Sequence, residues 1–461
     1  MHPADQVTFT IGVGQVSASQ QDVGLQAIAG NIAVEGLFNM GRDGRPVPVV
    51  AESWYIAQDG RSLRIRLRPN VKFHDGTAAT SAIIGQIVQS QLPHLLGSAF
   101  ADVEGIRAVS ETEVEIAQKR ASPFLVESLD IPIAKPGAAD IGTGPFSAVR
   151  GPNSIEMTAN EAYYQGRPSI QRIVMRGYPT VRAAWADMLR GKVDMLYEVG
   201  LDALDSLQGS SKVSIYTFTR SRPYVIVLNM RRPVFRSAEV RRGLNLAIDR
   251  PRLIREALYN HGTPADGPVW PHHWAYKQTF PAFQFDPSSA AKSLKGHVAF
   301  TCIFPEGALY ERLALGVQQA LAAVGVKMDV EAVPLTDLSD RVRKRGDFDA
   351  VLFDAQLGPN LFRPYQWFHS NGPSNYGAFS SPTVDAALDT IRYAIDDGEY
   401  ASQVLAFQQA IIEDPPAIFL AWGDRAQAVS RRFEVPVEPG RDVIGGLRLA
   451  KLAPEQRASR N

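Results

Sequence analysis

Apolar positions along the chain switch repeatedly between a period of two and a period near 3.6. Val7, Thr8, Phe9, Thr10 and Ile11 form a β-branched and aromatic run followed by Gly12 and Gly14, which predicts a strand at the start. Leu63-Arg64-Ile65-Arg66-Leu67 alternates apolar and basic residues, the pattern of a half-buried strand, and His74-Asp75-Gly76-Thr77 supplies a turn. Thr180 is placed to cap a helix that carries Ala184, Trp185, Met188 and Leu189 on one side and ends at Gly191. Asp286-Pro287 reads as a cap followed by proline in the first turn, where its missing N–H is not needed, opening a helix with Ala290, Ala291 and Leu294 that stops at Gly296. A helix over 307–324 aligns Leu309, Leu313, Val317, Ala320, Leu321 and Val324 on one face, with Gly325 ending it, and 326–330 alternates as a strand. Residues 240–250 are expected to form one helix that buries Val240, Leu244, Ala247 and Ile248 and leaves Arg241, Arg242 and Arg250 in solvent. Helix, glycine, strand, repeated, is the order of an α/β layered fold.

Composition narrows the function classes. Lys plus Arg and Asp plus Glu number 48 each, so the formal net charge is zero, against the basic excess of a dedicated nucleic-acid binder. Apolar residues are 45% and charged residues 21% of the 461, an ordinary globular balance with enough chain for several cores. A single cysteine, Cys302, forbids an intramolecular disulfide and a multi-cysteine metal site. Apolar runs such as 417–422 fall far short of the roughly 20 residues of a spanning helix. The opening Met1-His2-Pro3-Ala4-Asp5 lacks a basic and then apolar leader pattern, which fits a cytoplasmic chain or a mature form carrying an added Met.

Three motifs of chemistry fail on their context. Ser289-Ala290-Ala291-Lys292 has the Ser-x-x-Lys spacing without companion motifs, inside a helix already explained by its caps. Gly12-Val13-Gly14 has Ser17 at the third position of a dinucleotide fingerprint. His272 and His273 are adjacent, so on extended backbone they point apart, and no His-Glu-x-x-His or Cys/His cluster occurs. No catalytic residue, no cofactor and, on these motifs, no metal is expected.

Several blocks in order carry a family resemblance. The first is Glu35-Gly36-Leu37-Phe38, Ala51-Glu52-Ser53-Trp54, Leu67-Arg68-Pro69 and Val71-Lys72-Phe73-His74-Asp75-Gly76-Thr77. The second is Gly142-Thr143-Gly144-Pro145-Phe146, then Asn160-Glu161-Ala162-Tyr163-Tyr164, then Leu189-Arg190-Gly191-Lys192-Val193-Asp194. Asn229, the run from Val240 to Arg250, Phe348-Asp349-Ala350, Asn375-Tyr376-Gly377 and Asp414-Pro415-Pro416-Ala417 complete the series. Together they resemble the family 5 extracellular solute-binding proteins of ABC transporters, which handle dipeptides, oligopeptides and nickel.

The resemblance implies a two-lobed, periplasmic-binding-protein-like α/β fold with mixed sheets flanked by helices. Lobe I would span 1–225 with a smaller inserted subdomain, lobe II 226–427, and 428–461 would return to lobe I and end in a tail. It implies an extracytoplasmic, monomeric protein that is no enzyme, holds a small solute between its lobes and docks on the permease subunits of an ABC importer, without nucleic acid. Peptide is the first ligand class expected and oligosaccharide the second; the family's nickel binders imply metal as a minor option, with His369 or His272 as the residues to watch, and a sensor or an enzyme on the same fold is the rival. Peptide binders of the family resemble one another in an acidic stretch after the Phe348-Asp349-Ala350 strand, whose aspartate pairs with the peptide amine. Here no acidic residue lies between Asp354 and Asp385, and Phe362, Arg363, Tyr365, Trp367 and Phe368 stand in its place. The expected ligand-binding residues are therefore Thr143 in the glycine-rich loop, Asp354 as amine partner, Arg363 as a carboxylate fork, Tyr365, Trp367 and Tyr376 as stacking rings, and Trp422.

Overall fold

The structure, a computed structural model, describes residues 6–14, 21–150, 154–207, 209–278, 283–296, 298–438 and 440–455. Its centre is a twelve-stranded mixed sheet. Numbered in chain order, these strands are β1 (Thr8–Val13), β2 (Phe146–Arg150), β3 (Ser154–Ala159), β4 (Arg172–Gly177), β5 (Met195–Val199), β6 (Val213–Thr219), β7 (Tyr224–Leu228), β8 (Gly262–Pro264), β9 (Ala299–Pro305), β10 (Lys327–Val333), β11 (Ala350–Asp354) and β12 (Ala417–Ser430). The order is β10-β9-β11-β7-β12-β5-β1-β4-β3-β2, with β6 and β8 also paired to β12.

The sheet divides along β12. Its first half pairs with β7 and β8, up to Gly262↔Gly423. Its second half pairs with β5 and β6, beginning at Thr219↔Asp424. One half of the sheet is thus built on β1, β4 and β5 and the other on β9, β10 and β11. Two segments join them: β12 itself at 423–424, and residues 220–223 between β6 and β7. These run side by side, for the Arg220 amide donates to the Gly423 carbonyl at 3.1 Å. Glycine at 423 lets them do so, because a Cβ there would stand 2.5 Å from the Tyr224 ring.

Each half has its own cores. Phe9, Ile11, Ile28, Ile32, Phe146, Met157, Ile173, Met175 and Val429 pack the first, under the helix Gln21–Ala33. Leu244, Ile254, Leu258, Cys302, Leu313, Val317, Leu321, Leu352 and Ile418 pack one face of the second. The other face of the second half shares a continuous core with an inserted subdomain. That subdomain is a four-stranded antiparallel sheet of Ala51–Ile56, Ser62–Leu67, Glu113–Gln118 and Val103–Ser110, covered by the helix Ser81–Leu96. Ile84, Ile87, Val88, Leu92 and Leu96 of that helix are buried, each worth roughly 1.5–3 kcal/mol.

Local expectations match the structure closely. Leu63, Ile65 and Leu67 are buried while Arg64 turns out to Glu113 and Glu115. Thr180 Oγ1 accepts the Ala183 amide at the start of Val181–Leu189, although Leu189 points to solvent. Asp286 caps Pro287–Ser293, and Gly325 follows Ala308–Ala322 with φ +84°. Two expectations at 240–250 are corrected. The run is two helices, Ala238–Leu246 and Arg250–Leu258, because Asp249 caps the second through the Arg252 amide. Arg241 and Arg250 are not solvated but 4% and 2% exposed, held by backbone carbonyls of β12 and its approach.

Candidate functional site

The direction of the strands marks a candidate cleft. β11 runs alongside β7 so that Asp354, its last residue, pairs with Tyr224 at the crossing, and β9 and β10 run parallel to it. From the other side β5 ends at Val199, opposite Ala426, with β1 and β4 parallel to it. The carboxyl ends of both parallel sets therefore face one another across 220–223 and 423–424. Loops outside the carboxyl ends of such strands are where α/β folds hold ligands.

The floor of this cleft is charged. Arg220 Nη1 donates to Asp354 Oδ2 at 2.7 Å, Arg222 Nε lies 3.4 Å from the same oxygen, and the Tyr310 hydroxyl donates to Asp354 Oδ1 at 3.0 Å. Burial alone would raise the Asp354 pKa, but the charges of Arg220 and Arg222 outweigh it and hold the carboxyl below its usual range. Arg425 on β12 meets Glu198 of β5 at 3.7 Å. Burial pushes the Tyr224 hydroxyl up to about 12, so it stands neutral among these charges. Asp424 projects to the other face of β12, where it accepts the Thr219 hydroxyl at 2.7 Å.

A second polar cluster lies where the glycine-rich loop meets the end of the helix Gln21–Ala33. A Cβ on Gly144 would stand 2.5 Å from the Ile32 carbonyl oxygen, so only glycine permits this approach. It brings Thr143 Oγ1 to Glu35 Oε2 at 3.1 Å, and the Tyr163 and Tyr164 hydroxyls donate to the same carboxylate. Burial raises the pKa of Glu35, opposed by these three donors.

The seven expected residues fall into two groups. Asp354, Trp367 and Tyr376 keep part of their surface in solvent. Trp367 packs between Phe353 and Tyr376, at 5.4 and 5.5 Å between ring centroids, and Asp354 sits in the cleft floor with its oxygens already engaged. Thr143, Arg363, Tyr365 and Trp422 are withdrawn from solvent. Thr143 is spent on Glu35. Arg363 Nη2 bonds Asp130 of the subdomain at 2.5 Å. Tyr365 lies 5.4 Å from Phe124, and Trp422 packs edge-on to Trp270 at 5.0 Å. The helix Phe362–Phe368 thus seats the subdomain on the second half of the sheet, and its aromatic character serves that seam. His369 is 5% exposed, 3.5 Å from Asp389, and His272 lies beside Arg42. Among the described residues no group of three or more His, Cys, Asp or Glu is placed to hold a metal ion.

Sequence reasoning missed Arg220, Arg222, Arg425, Glu198 and Tyr310. A signal existed: Arg220-Ser221-Arg222-Pro223 interrupts two strand-like runs, and Asp424-Arg425 interrupts the otherwise apolar stretch of β12. What links them is tertiary pairing between segments some two hundred positions apart, which no local pattern displays.

Comparison with known proteins gives a consistent outcome. The family model "Bacterial extracellular solute-binding proteins, family 5 Middle" matches residues 45–377. A glutathione-binding protein of Pectobacterium atrosepticum is 25% identical over 440 residues, covering 87% of this chain and 84% of that one. Among solved structures, the periplasmic binding protein DppA of Helicobacter pylori in complex with the peptide STSA superposes with a TM-score of 0.82 at 16% identity, covering 96% and 98% of the two chains. NikZ of Campylobacter jejuni in complex with Ni(L-His) superposes with a TM-score of 0.79 at 20% identity, covering 96% and 99%.

Proposed function

Because the chain belongs to the bacterial extracellular solute-binding proteins of family 5, we propose that it is a clamp that captures a peptide-like solute between two lobes and hands it, unreacted, to the permease of an ABC importer. The observation that carries the reading is the facing of strand carboxyl ends across two adjacent crossings, 220–223 and 423–424. Two neighbouring strand segments bend together more easily than a packed layer, which makes them the hinge of closure. The lobes then divide at these crossings, close to residues 225 and 428. Solute contacts on both sides would favour the closed state, since a ligand shifts an equilibrium only by its differential contacts.

The protein works outside the cytoplasm as a monomer, with no cofactor, no metal and no nucleic acid. Of the expected residues, Asp354 is assigned to the cleft floor and Trp367 to its rim; Tyr376 lies at the far end of β7, beside Arg231 and Leu228, and Thr143, Arg363, Tyr365 and Trp422 support the cleft from within. Peptide is preferred over oligosaccharide because the rings at Phe362, Tyr365 and Phe368 are engaged with the subdomain and the sheet, leaving few faces for a sugar.

Native mass spectrometry of freshly purified protein, set against its denatured mass, tests the class. A ladder of adducts spaced by amino-acid residue masses is expected, or, from an apo preparation, uptake from a mixed tripeptide pool. Adducts spaced by hexose units, or an apo mass that takes up nothing from that pool, would contradict it.

A further inference from the structure

The charges of the cleft floor do not balance. Three guanidinium groups, Arg220, Arg222 and Arg425, gather around two carboxylates, Asp354 and Glu198. Asp424 is turned to the other face of β12, and Asp442 at the margin accepts the Gly445 amide. Both Asp354 oxygens are engaged: Arg220 and Arg222 share Oδ2 and Tyr310 donates to Oδ1, so an amine could add only at the acceptor site Oδ1 keeps, beside two guanidinium groups. No further acidic residue follows until Asp385, which itself holds Ser370. An incoming amine would meet a carboxylate already paired with arginine and a surrounding positive field.

The arginines, by contrast, are under-used. Arg425 approaches Glu198 at 3.7 Å, beyond the 2.7–2.9 Å of a charge-assisted hydrogen bond. Arg222 reaches Asp354 at 3.4 Å through Nε and its backbone oxygen at 3.4 Å through Nη2, with 44% of its side chain in solvent. Partial burial lowers the proton affinity of Arg222, Asp354 opposes that, and repulsion from Arg220 and Arg425 adds to the fall. A planar anion set among these groups would relieve that repulsion and meet two forks whose geometry matches a carboxylate.

We propose that Arg222 and Arg425 form an anion anchor, taking a carboxylate of the bound solute, so that the protein selects its ligand by a carboxylate and not by a free amine. This rests on the peptide-like reading and specifies it. Arg222 belongs to the crossing and Arg425 to the first half of the sheet, so one carboxylate held by both ties ligand capture to the hinge itself.

The test is titration calorimetry of the whole protein with four probe pools. They are mixed tripeptides with free termini, the same peptides C-terminally amidated, the same peptides N-acetylated, and amine-free acids (succinate, glutarate and citrate). Amidation should weaken binding by about tenfold or more, the loss of a charge-assisted bidentate pair, while N-acetylation leaves affinity within about threefold. Arg222→Gln and Arg425→Gln should each weaken the free pool by about tenfold and abolish the distinction between free and amidated peptides. Arg222 is the more exposed, so its variant keeps the test valid if Arg425→Gln unfolds. Equal binding of free and amidated peptides would overturn the anchor and leave the peptide reading intact. Binding of the acids alone, lost in Arg222→Gln, would keep the anchor and overturn the peptide reading. Binding of none of the four pools would overturn both.

Discussion

Arg250 carries a charge into a site that is 2% exposed. Its guanidinium donates to the carbonyls of Phe419 at 2.8 Å, Phe283 at 2.9 Å and Ala265 at 3.2 Å, and to Asn245 Oδ1 at 3.0 Å. Burial pulls its pKa down to about 10, and the charge of Asp266 resists that fall. Removing the donors leaves several buried acceptors unmet, so Arg250→Leu should lose on the order of 3 kcal/mol. A urea midpoint measured at unchanged m-value reads this directly, and a loss under about 1 kcal/mol would contradict it. The sequence alone suggested solvent for this residue, because arginine on an amphipathic helix is usually outside. What overrides that prior is an irregular stretch of carbonyls around β8 and β12, visible only once those segments converge. The same holds for Tyr365 and Trp422, whose size and apolarity suit a cleft and a core equally well.

At the scale of elements, the seam between the subdomain and the second lobe turns on Glu127, at the end of the short helix Pro123–Glu127. Its carboxylate accepts the Tyr400 hydroxyl at 2.7 Å and the Phe362 amide at 2.9 Å. The nearest charged neighbours are Arg363, which pairs with Asp130, and Arg45, which acts on Tyr400. Burial raises the Glu127 pKa to about 7, from an ordinary value of 4.5. A carboxyl with a raised pKa binds its proton more tightly when folded, so its contribution is complete below the unfolded value and is lost as pH rises through the folded one. Stability should therefore fall between about pH 4.5 and 7, by on the order of 3 kcal/mol from this group. Glu127→Gln, whose amide can meet both partners, should flatten that slope in unfolding free energy measured across the window. An equal slope in the two proteins would place the linkage elsewhere. Strands and helices were legible here wherever caps and glycines punctuate a clean period, as at Thr180, Asp286 and Gly325. They were misjudged where a cap sits inside an apparently continuous run, as Asp249 does. The seam itself was not legible, since Glu127 and Phe362 are joined by packing and not by proximity in the chain.

The whole molecule was readable in outline. Repeated helix-glycine-strand units set the α/β class, and the ordered blocks from Glu35 to Asp414 led to the two-lobed expectation. The joint between the two halves of the sheet was not legible; it emerges from β12, one strand that serves both halves, and from 220–223 running beside it. The chemistry of the cleft floor depends on that joint, because Arg220, Arg222, Arg425, Asp354 and Glu198 meet only when β5, β7, β11 and β12 are side by side. In the proposed clamp the hinge and the binding floor are the same few residues, which makes closure the property to measure. Small-angle X-ray scattering of the whole protein, without ligand and saturated with the mixed tripeptide pool, does so most directly. A clamp hinged at 220–223 and 423–424 should show a smaller radius of gyration and a shorter maximum dimension when saturated. Saturation, verified by calorimetry on the same sample, with a superimposable scattering profile would contradict closure about that hinge.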